Sequence, residues 1–561
     1  MKSAATPLPP GIAGPPRPGS LETAAEPAAL PPGRPAAARF AGPAAGVLLA
    51  ALWVLLYPRT PDLAGQVYRV DLFRRLGFVV WDEHWYAGHH LPAYSLIFPP
   101  LGSLLGIRVL GASAVILSCV LFERLADRAY GKAARWGAVF FAVAAVGDVW
   151  AGRVTFALGV SVALAAALAL GRGRPVLASV LSLACAAASP VAALLLGLAA
   201  LALSLHERSV RALLVLALPA GVLVVVLALL FPEGGYEPYP ITSFAATAVV
   251  MLLFLWALPA RERLLRIGGV LYLLACAACL LVHTPVGSNI ERLGVLLAGP
   301  LLLCALAAER EQTGARAARG ALIAALALCA AGVWVLWGPV RETAAVSASP
   351  ATSAAYYVPL ERFIATQPGP LRIEVPLTRS HWEAALLAPS VSLARGWEKQ
   401  LEMRYDRALL SHGLTASSYR RWLDEQAVAL VALPDVPLDP SSAREGDLIR
   451  AGLPYLREIY TSAHWRVFRV IGATPIATGP GRLAAMGHDS FALRATGAGS
   501  FLVRVHYTRY MTLTQGSGCV GSAPGGWTRV SVDGPGVYVV SARFSLSRAL
   551  GAGATCQRRA S

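Results

Sequence analysis

Eleven apolar segments crowd the first 340 residues, near 41–57, 104–122, 136–150, 154–170, 175–188, 190–205, 212–231, 242–258, 267–282, 293–308 and 320–337. In hydrocarbon every backbone donor and acceptor must find its partner within the protein, so each such segment is constrained to be a helix. Of the 561 residues, 56% are hydrophobic and 14% charged, against about a quarter charged in soluble domains. The chain reads as a polytopic α-helical membrane protein of about 11 spans with a soluble part attached. Several segments are shorter than the roughly 20 residues of a perpendicular span, so their boundaries are soft.

Charge sets the expected topology. Pro175 to Leu205 is too long for one ordinary span and is interrupted at Ser189-Pro190. Arg172 and Arg174 precede it, and Arg208 and Arg211 follow it. If both flanks are cytoplasmic, the stretch crosses twice as a hairpin. The other basic loops then share that side: Arg124 to Arg135, Arg261 to Arg266, and Arg310 to Arg319. This predicts a plasma-membrane protein with a cytoplasmic N-terminus and an extracytoplasmic C-terminal region. The net charge of +17 is absorbed by these loops, and no nucleic-acid partner is expected.

Residues 1–40, rich in Pro, Ala and Gly, read as a disordered cytoplasmic tail. The membrane domain is expected over 41–340, with a large first outer loop at 58–103. Residues 341–475 mix strands such as "LRIEVP" and "AVALVALP" with helical stretches such as "ASSYRRWLDEQAV", an α/β module. Residues 476–561 alternate apolar and polar residues ("SFLVRVHYT", "WTRVSVD") between glycine-rich turns, a β-sandwich-like module. Six of the eight cysteines lie in apolar segments as small hydrophobes. Cys519 and Cys556 lie in the β-rich tail, and an oxidising compartment predicts that they pair. No Cys/His spacing suggests a zinc site, and no internal repeat is evident.

With this topology the ionisable chemistry gathers in the outer loops, above all in "VDLFRRLGFVVWDEHWYAGHHLPAYSLIFPPLG" (70–102). Two readings fit Asp71: a carboxylate at the lip of a membrane cavity, or a surface ion pair with Arg74 or Arg75. Trp81, Trp85 and Tyr86 suit either the headgroup level or stacking on a sugar. His84, His89 and His90 fit surface or hydrogen-bonding roles better than metal ligation. Arg153 and Arg292 sit where helices begin at the outer face. They either grip a phosphate together or pair with Asp148 and Glu291.

The segment "WDEHWYAGHHLPAYSLIFPPLG", with "GRVTFALG" (152–159) and "NIERL" (289–293), resembles the GT-C-type polytopic membrane glycosyltransferases. "ARGWEKQLEMRYDRALL" and "SSYRRWLDEQAVALVALPD" are similar to the C-terminal module of actinobacterial membrane proteins of that kind. The resemblance implies a GT-C-like fold and inverting transfer of a sugar from a polyprenyl-phosphate donor to a cell-envelope polysaccharide or glycolipid acceptor. Asp71 falls at the expected catalytic position, with Asp148 and Glu83 as further candidates for the base. It lacks the second acidic residue of the paired motif, being followed by Leu72 and Phe73. Arg292 and Arg153 would hold the phosphate. Trp85, Tyr86, His89 and Tyr94 would form the sugar or acceptor platform. Trp397, Trp465 and Trp527 fit either acceptor binding or a buried core. The lipid-linked sugar is the donor substrate; the sequence points to no particular cofactor, and a divalent metal is open but not indicated. The alternatives are a transporter or flippase of an envelope lipid or polymer, and a non-catalytic envelope-assembly protein.

Overall fold

Each of the eleven apolar segments is helical. The computed structural model describes Met1, residues 40–313, 318–411, 413–551 and Cys556. The expected tail 1–40 therefore lies outside the described residues apart from its two ends. The helices in chain order are α1 (Ala41–Leu56), α2 (Pro61–Leu76), α3 (Phe98–Leu105), α4 (Ile107–Tyr130), α5 (Ala134–Trp150), α6 (Val154–Gly171), α7 (Pro175–Ala188) and α8 (Pro190–Glu207). A π-helical turn, Leu213–Ala217, leads into α9 (Leu218–Leu230), followed by α10 (Ile241–Ala257), α11 (Arg263–Leu281), α12 (Glu291–Thr313) and α13 (Ala318–Val346).

By length and composition seven of the described helical runs can cross a membrane, or eight if the bent pair α1–α2 is one span. The difference from eleven has two sources. The helices α1, α7 and α10 hold 16, 14 and 17 residues, short for a perpendicular span. The run Ile107–Trp150 counts once, although α4 and α5 fold against each other about the 3-10 turn Gly131–Ala133. The break at Ser189-Pro190 is a helix boundary: the Ser189 hydroxyl accepts from the Ala192 N–H at 3.3 Å and Pro190 opens α8.

Small residues let these helices approach closely. Gly137 on α5 lies against the Pro300 carbonyl and the Cys304 sulfur of α12, where a Cβ would clash. The outward faces stay apolar, with Val222, Leu229, Leu274, Leu322 and Trp337 exposed as a lipid-facing surface requires. At one end of the bundle the basic loops meet: Tyr130 donates to Glu262 at 3.0 Å, and Arg261 bonds Gln312.

The soluble part stands at the other end. A mixed five-stranded sheet runs in the order Ser392–Leu393, Arg372–Glu374, Val428–Pro434, Trp465–Val470, Leu456–Thr461, the first three parallel and the last two antiparallel to their neighbours. Two four-stranded antiparallel sheets follow between Ala477 and Ala542 and face each other across Phe491, Leu493, Phe501, Val503, Val530 and Val540. The sulfurs of Cys519 and Cys556 are joined.

The loop over 58–103 is structured throughout. It consists of α2, a short hairpin pairing Trp81-Asp82 with His89-His90, and the start of α3. The hairpin is clasped on both sides by the soluble modules. The Leu393 N–H donates to the His84 carbonyl at 2.9 Å, and the His506 N–H to Ala87 at 2.8 Å. The Trp85 indole N–H donates to Ala384 at 3.0 Å.

Candidate functional site

The chain leaves α1 through Tyr57 in a left-handed conformation and turns 79° into α2. Thr60 precedes the helix, Pro61 occupies its first position and Asp62 its first turn, where a carboxylate is favoured by the helix dipole. Three contacts seat this turn on the α5–α6 junction. The Thr60 hydroxyl donates to the Trp150 carbonyl at 3.1 Å. Gly152, at φ +88°, passes so close that a Cβ would stand 2.5 Å from the Leu63 nitrogen. The Gln66 carboxamide oxygen accepts from the Thr155 N–H at 2.8 Å and its hydroxyl at 2.9 Å, while its NH2 bonds Gly152.

These contacts bring Asp62 to Arg153, with Oδ2 to Nε at 3.3 Å. Asp148, buried at the end of α5, braces the same guanidinium at 3.7 Å. Arg292, in the first turn of α12, lies over the Phe156 ring at 5.2 Å and within electrostatic reach of Asp62, Asp148 and Arg153. Among the described residues no carboxylate is in ion-pair contact with Arg292, which leaves its donors for a ligand.

Asp62, Arg153 and Arg292 line a cavity of about 1130 Å³ between the helix bundle and the soluble part. One wall is apolar: Val191 and Leu194 of α8, then Val224, Leu227 and Ala228 of α9. Leu194 and Ala228 of this wall are exposed. The floor carries Glu233 and Glu237 from the loop after α9. Burial pushes Glu237 up to about 7 against the Ser288 hydrogen bond and the Arg292 charge. Burial likewise raises Glu233 to about 8, with the His89 charge opposing. The facing wall comes from the soluble α/β module and includes Arg379, His381, Trp397, Glu398, Lys399 and Asp439. Among the described residues no group of three or more His, Cys, Asp or Glu side chains is placed to hold a metal ion.

The expected site residues divide. Arg153, Arg292 and Tyr94 line the cavity, with the Arg69 guanidinium 3.9 Å above the Tyr94 ring. Asp148 stands behind Arg153. Asp71 does not line the cavity; it is paired with Arg75 at 2.9 Å on a surface turn of α2, the ion-pair reading. Glu83 is buried away from it, and burial beside Asp489 and Asp82 holds its carboxyl well above the usual range. Trp85, Tyr86 and His89 are fully buried in the clasp. Trp85 stacks on Tyr68 at 4.4 Å and on His89 at 5.5 Å, and the Tyr86 hydroxyl bonds the Glu398 backbone at 3.2 Å. Their partners take the faces that a sugar platform would need. Trp465 is a core residue bonded to the Tyr356 carbonyl, and Trp527 stacks on His506 at 4.4 Å.

Asp62, His381 and Asp439 were not singled out from sequence. For Asp62 a signal exists: it is the first acidic residue after the first apolar segment, in a Thr-Pro-Asp helix start.

No model of a known protein family matches the chain. No curated protein matches it either. Among solved structures it is similar to the cryo-EM structure of the arabinofuranosyltransferase AftD from Mycobacteria, at 16% identity and a TM-score of 0.44 over 90% of this chain. The chain spans 40% of that protein's length.

Proposed function

We propose that this chain is a membrane glycosyltransferase that takes a sugar from a polyprenyl-phosphate donor and transfers it to a hydroxyl of a cell-envelope acceptor on the extracytoplasmic face. One observation carries the reading. A single cavity combines a carboxylate 3.3 Å from an arginine, a second arginine with no ion-paired carboxylate among the described residues, and an apolar wall. Arg153 and Arg292 supply donors in the planar arrangement that phosphate oxygens accept. The apolar wall of α8 and α9 matches the first isoprene units of the donor.

Asp62 is assigned as the base. The acceptor oxygen attacks the anomeric carbon from the face opposite the phosphate, and its proton passes to the Asp62 carboxylate. The bond from the anomeric carbon to the phosphate oxygen breaks with its electron pair on that oxygen, inverting the configuration. The two guanidiniums neutralise the charge that develops there. Asp148 keeps Arg153 aimed at the phosphate.

The test is transfer by the full chain in lipid nanodiscs, from a panel of radiolabelled polyprenyl-phosphate sugars to envelope-derived acceptors. Asp62→Asn should lower kcat by about 10²–10⁴, the usual worth of a general base, whereas Asp71→Asn should stay within about twofold. Equal activity of wild type and Asp62→Asn would remove Asp62 as the base. Binding or movement of lipid-linked sugars without transfer from any donor would favour the transporter.

A further inference from the structure

We propose that the segment after the last strand of the sandwich docks on the bilayer and takes the headgroups of anionic phospholipids. Such docking is independent of the reaction. The run Leu213–Leu230 is long and apolar enough to cross a membrane, so its last turn stands at the hydrocarbon boundary. The sandwich caps that turn. The Tyr510 hydroxyl donates to the Leu230 carbonyl at 2.8 Å. The Phe231 ring lies 5.5 Å from Tyr510 and 6.0 Å from Phe544. The last strand, Gly536–Ala542, ends here, and the Arg543 N–H donates to the Tyr510 carbonyl at 3.0 Å. A short helix, Leu546–Ala549, follows and buries Ala549 in the same apolar cluster as Leu227 and Phe231.

Three large apolar side chains of this segment are left outside that cluster. Phe544 is 48% exposed, Leu546 67% and Leu550 77%. Holding this much hydrocarbon in water is unfavourable. Leu229, in the last turn of α9, is exposed as lipid-facing surface, so the patch adjoins the bilayer. The chain's own C-terminal residues do not supply a cover: residues 551–561 contain no large apolar side chain.

Charge selects the lipid. Arg543 and Arg548 lie in the segment itself, and Arg509 is next to Tyr510. Arg509 donates to the Ala549 carbonyl at 3.1 Å, and Arg548 bonds the Met511 carbonyl. Both lie within electrostatic reach of Tyr507. Among the described residues none of the three arginines is ion-paired with a carboxylate, so their remaining N–H groups are available to phosphate oxygens. Arg558 and Arg559 add two more charges further along the sequence. Apolar side chains set among arginines are what binds a segment to an anionic bilayer surface. A saccharide polymer would not fill the apolar half, and a neutral lipid surface would not answer the charge.

The experiment places an environment-sensitive NBD fluorophore on the full chain in nanodiscs, in a Cys329→Ala background that removes the exposed thiol. Leu546→Cys reports the patch. Ala498→Cys is the control, exposed between the strands Ser490–Ala495 and Gly499–His506. The strand register, Ala495 with Gly536 and Ser490 with Ser541, puts it at the opposite end of the sandwich, about 20 Å away. Discs of phosphatidylcholine alone are compared with discs that also contain phosphatidylglycerol, and headgroup-labelled nitroxide lipid is the quencher. With phosphatidylglycerol the 546 probe should emit to the blue and be quenched about threefold more than the 498 probe. That quenching should fall at least twofold in phosphatidylcholine alone, and likewise when Arg509→Gln, Arg543→Gln and Arg548→Gln are combined. The lipid comparison keeps all three arginines, so it stands even where the triple variant fails to fold. Equal quenching at the two positions would overturn the proposal. So would quenching at 546 that ignores phosphatidylglycerol, which would be apolar burial in any lipid. A blue-shifted but unquenched 546 probe would mean that protein covers the patch, and would overturn it too.

Discussion

At the residue scale the site depends on groups that never meet a substrate. Gln66 makes three hydrogen bonds from α2 to the α5–α6 junction, to Gly152 and Thr155, and a fourth within α2 to the Asp62 carbonyl. Gln66→Leu keeps the volume but strands the buried Thr155 N–H, at a cost of about 1–3 kcal/mol. Because Asp62 and Arg153 flank this contact, we expect the thermal midpoint to fall and kcat to drop at least tenfold, with donor KM changed less. Gly152→Ala should give the same pattern, since its Cβ would push the α2 backbone off the junction.

Glu237 adds a pH dependence whose sign follows from its burial. Its carboxyl is raised from 4.5 to about 7. Between these values the folded chain holds a proton that the unfolded chain has lost. Its contribution to stability is therefore complete at acid pH and is lost as pH rises through 7. The same titration acts on binding. Below pH 7 Glu237 is neutral and leaves Arg292 to the phosphate; above it the carboxylate competes for that charge. Donor KM should rise on going from pH 6 to pH 8, and Glu237→Gln should flatten the profile. A rise of equal size in the variant would place the titrating group elsewhere.

At the scale of elements, the first loop belongs to the joint between membrane and soluble domains. Asp82 accepts from the Tyr68 hydroxyl at 2.8 Å and bonds the His488 ring at 3.0 Å, which ties α2, the hairpin and the sandwich together. Burial would raise Asp82, but the His488 hydrogen bond and the charges of His89, His488 and His84 outweigh it and bring it to about 2. Burial lowers His84 to about 4, with His488 adding to the effect, and lowers His90 and His506 to about 3, with arginines adding to it. These imidazoles stay neutral in the fold where the unfolded chain binds protons. Their stability is present above about pH 6.5 and is lost as pH falls toward 4; each full shift corresponds to roughly 3–5 kcal/mol. Hydrogen exchange over residues 80–96 should therefore accelerate between pH 6.5 and 4.5, ahead of the membrane helices. His84→Gln should reduce that acceleration. Uniform exchange across the chain would show that the joint is not the acid-sensitive element.

This joint also marks what the sequence could show. The apolar segments were legible because each carries its own signal, and the sandwich strands because their alternation is local. The roles of Trp85, Tyr86 and Asp82 were not, because their partners Ala384, Glu398 and His488 lie about three to four hundred residues away. Asp71 stood out among aromatics, yet helical spacing delivers it to Arg75. Asp62 sits in what reads as an ordinary turn. Its importance comes from Gly152, Gln66 and Arg153, which only the packing of α2 on α6 brings to it.

For the whole molecule the remaining question is which end faces out. The structure separates the two ends. The loops joined by Tyr130 to Glu262 and by Arg261 to Gln312 lie together, and none of their described residues lines the cavity. Arg153, Glu237, Arg292 and Arg341 all line it beside the soluble part. Arginine in short loops is retained on the cytoplasmic side, so the cavity and the sandwich should be extracytoplasmic. Of the free cysteines only Cys329 is exposed, and it lies on α13 within an apolar run, so a membrane-impermeant maleimide added to intact cells should find little background. Ser547→Cys, exposed in the short helix after the last strand, should be labelled without lysis, and Ser209→Cys, in the loop after α8, only after it. The reverse pattern would invert the molecule. The cavity would then face the cytoplasm, and an acceptor of the outer envelope could not reach it.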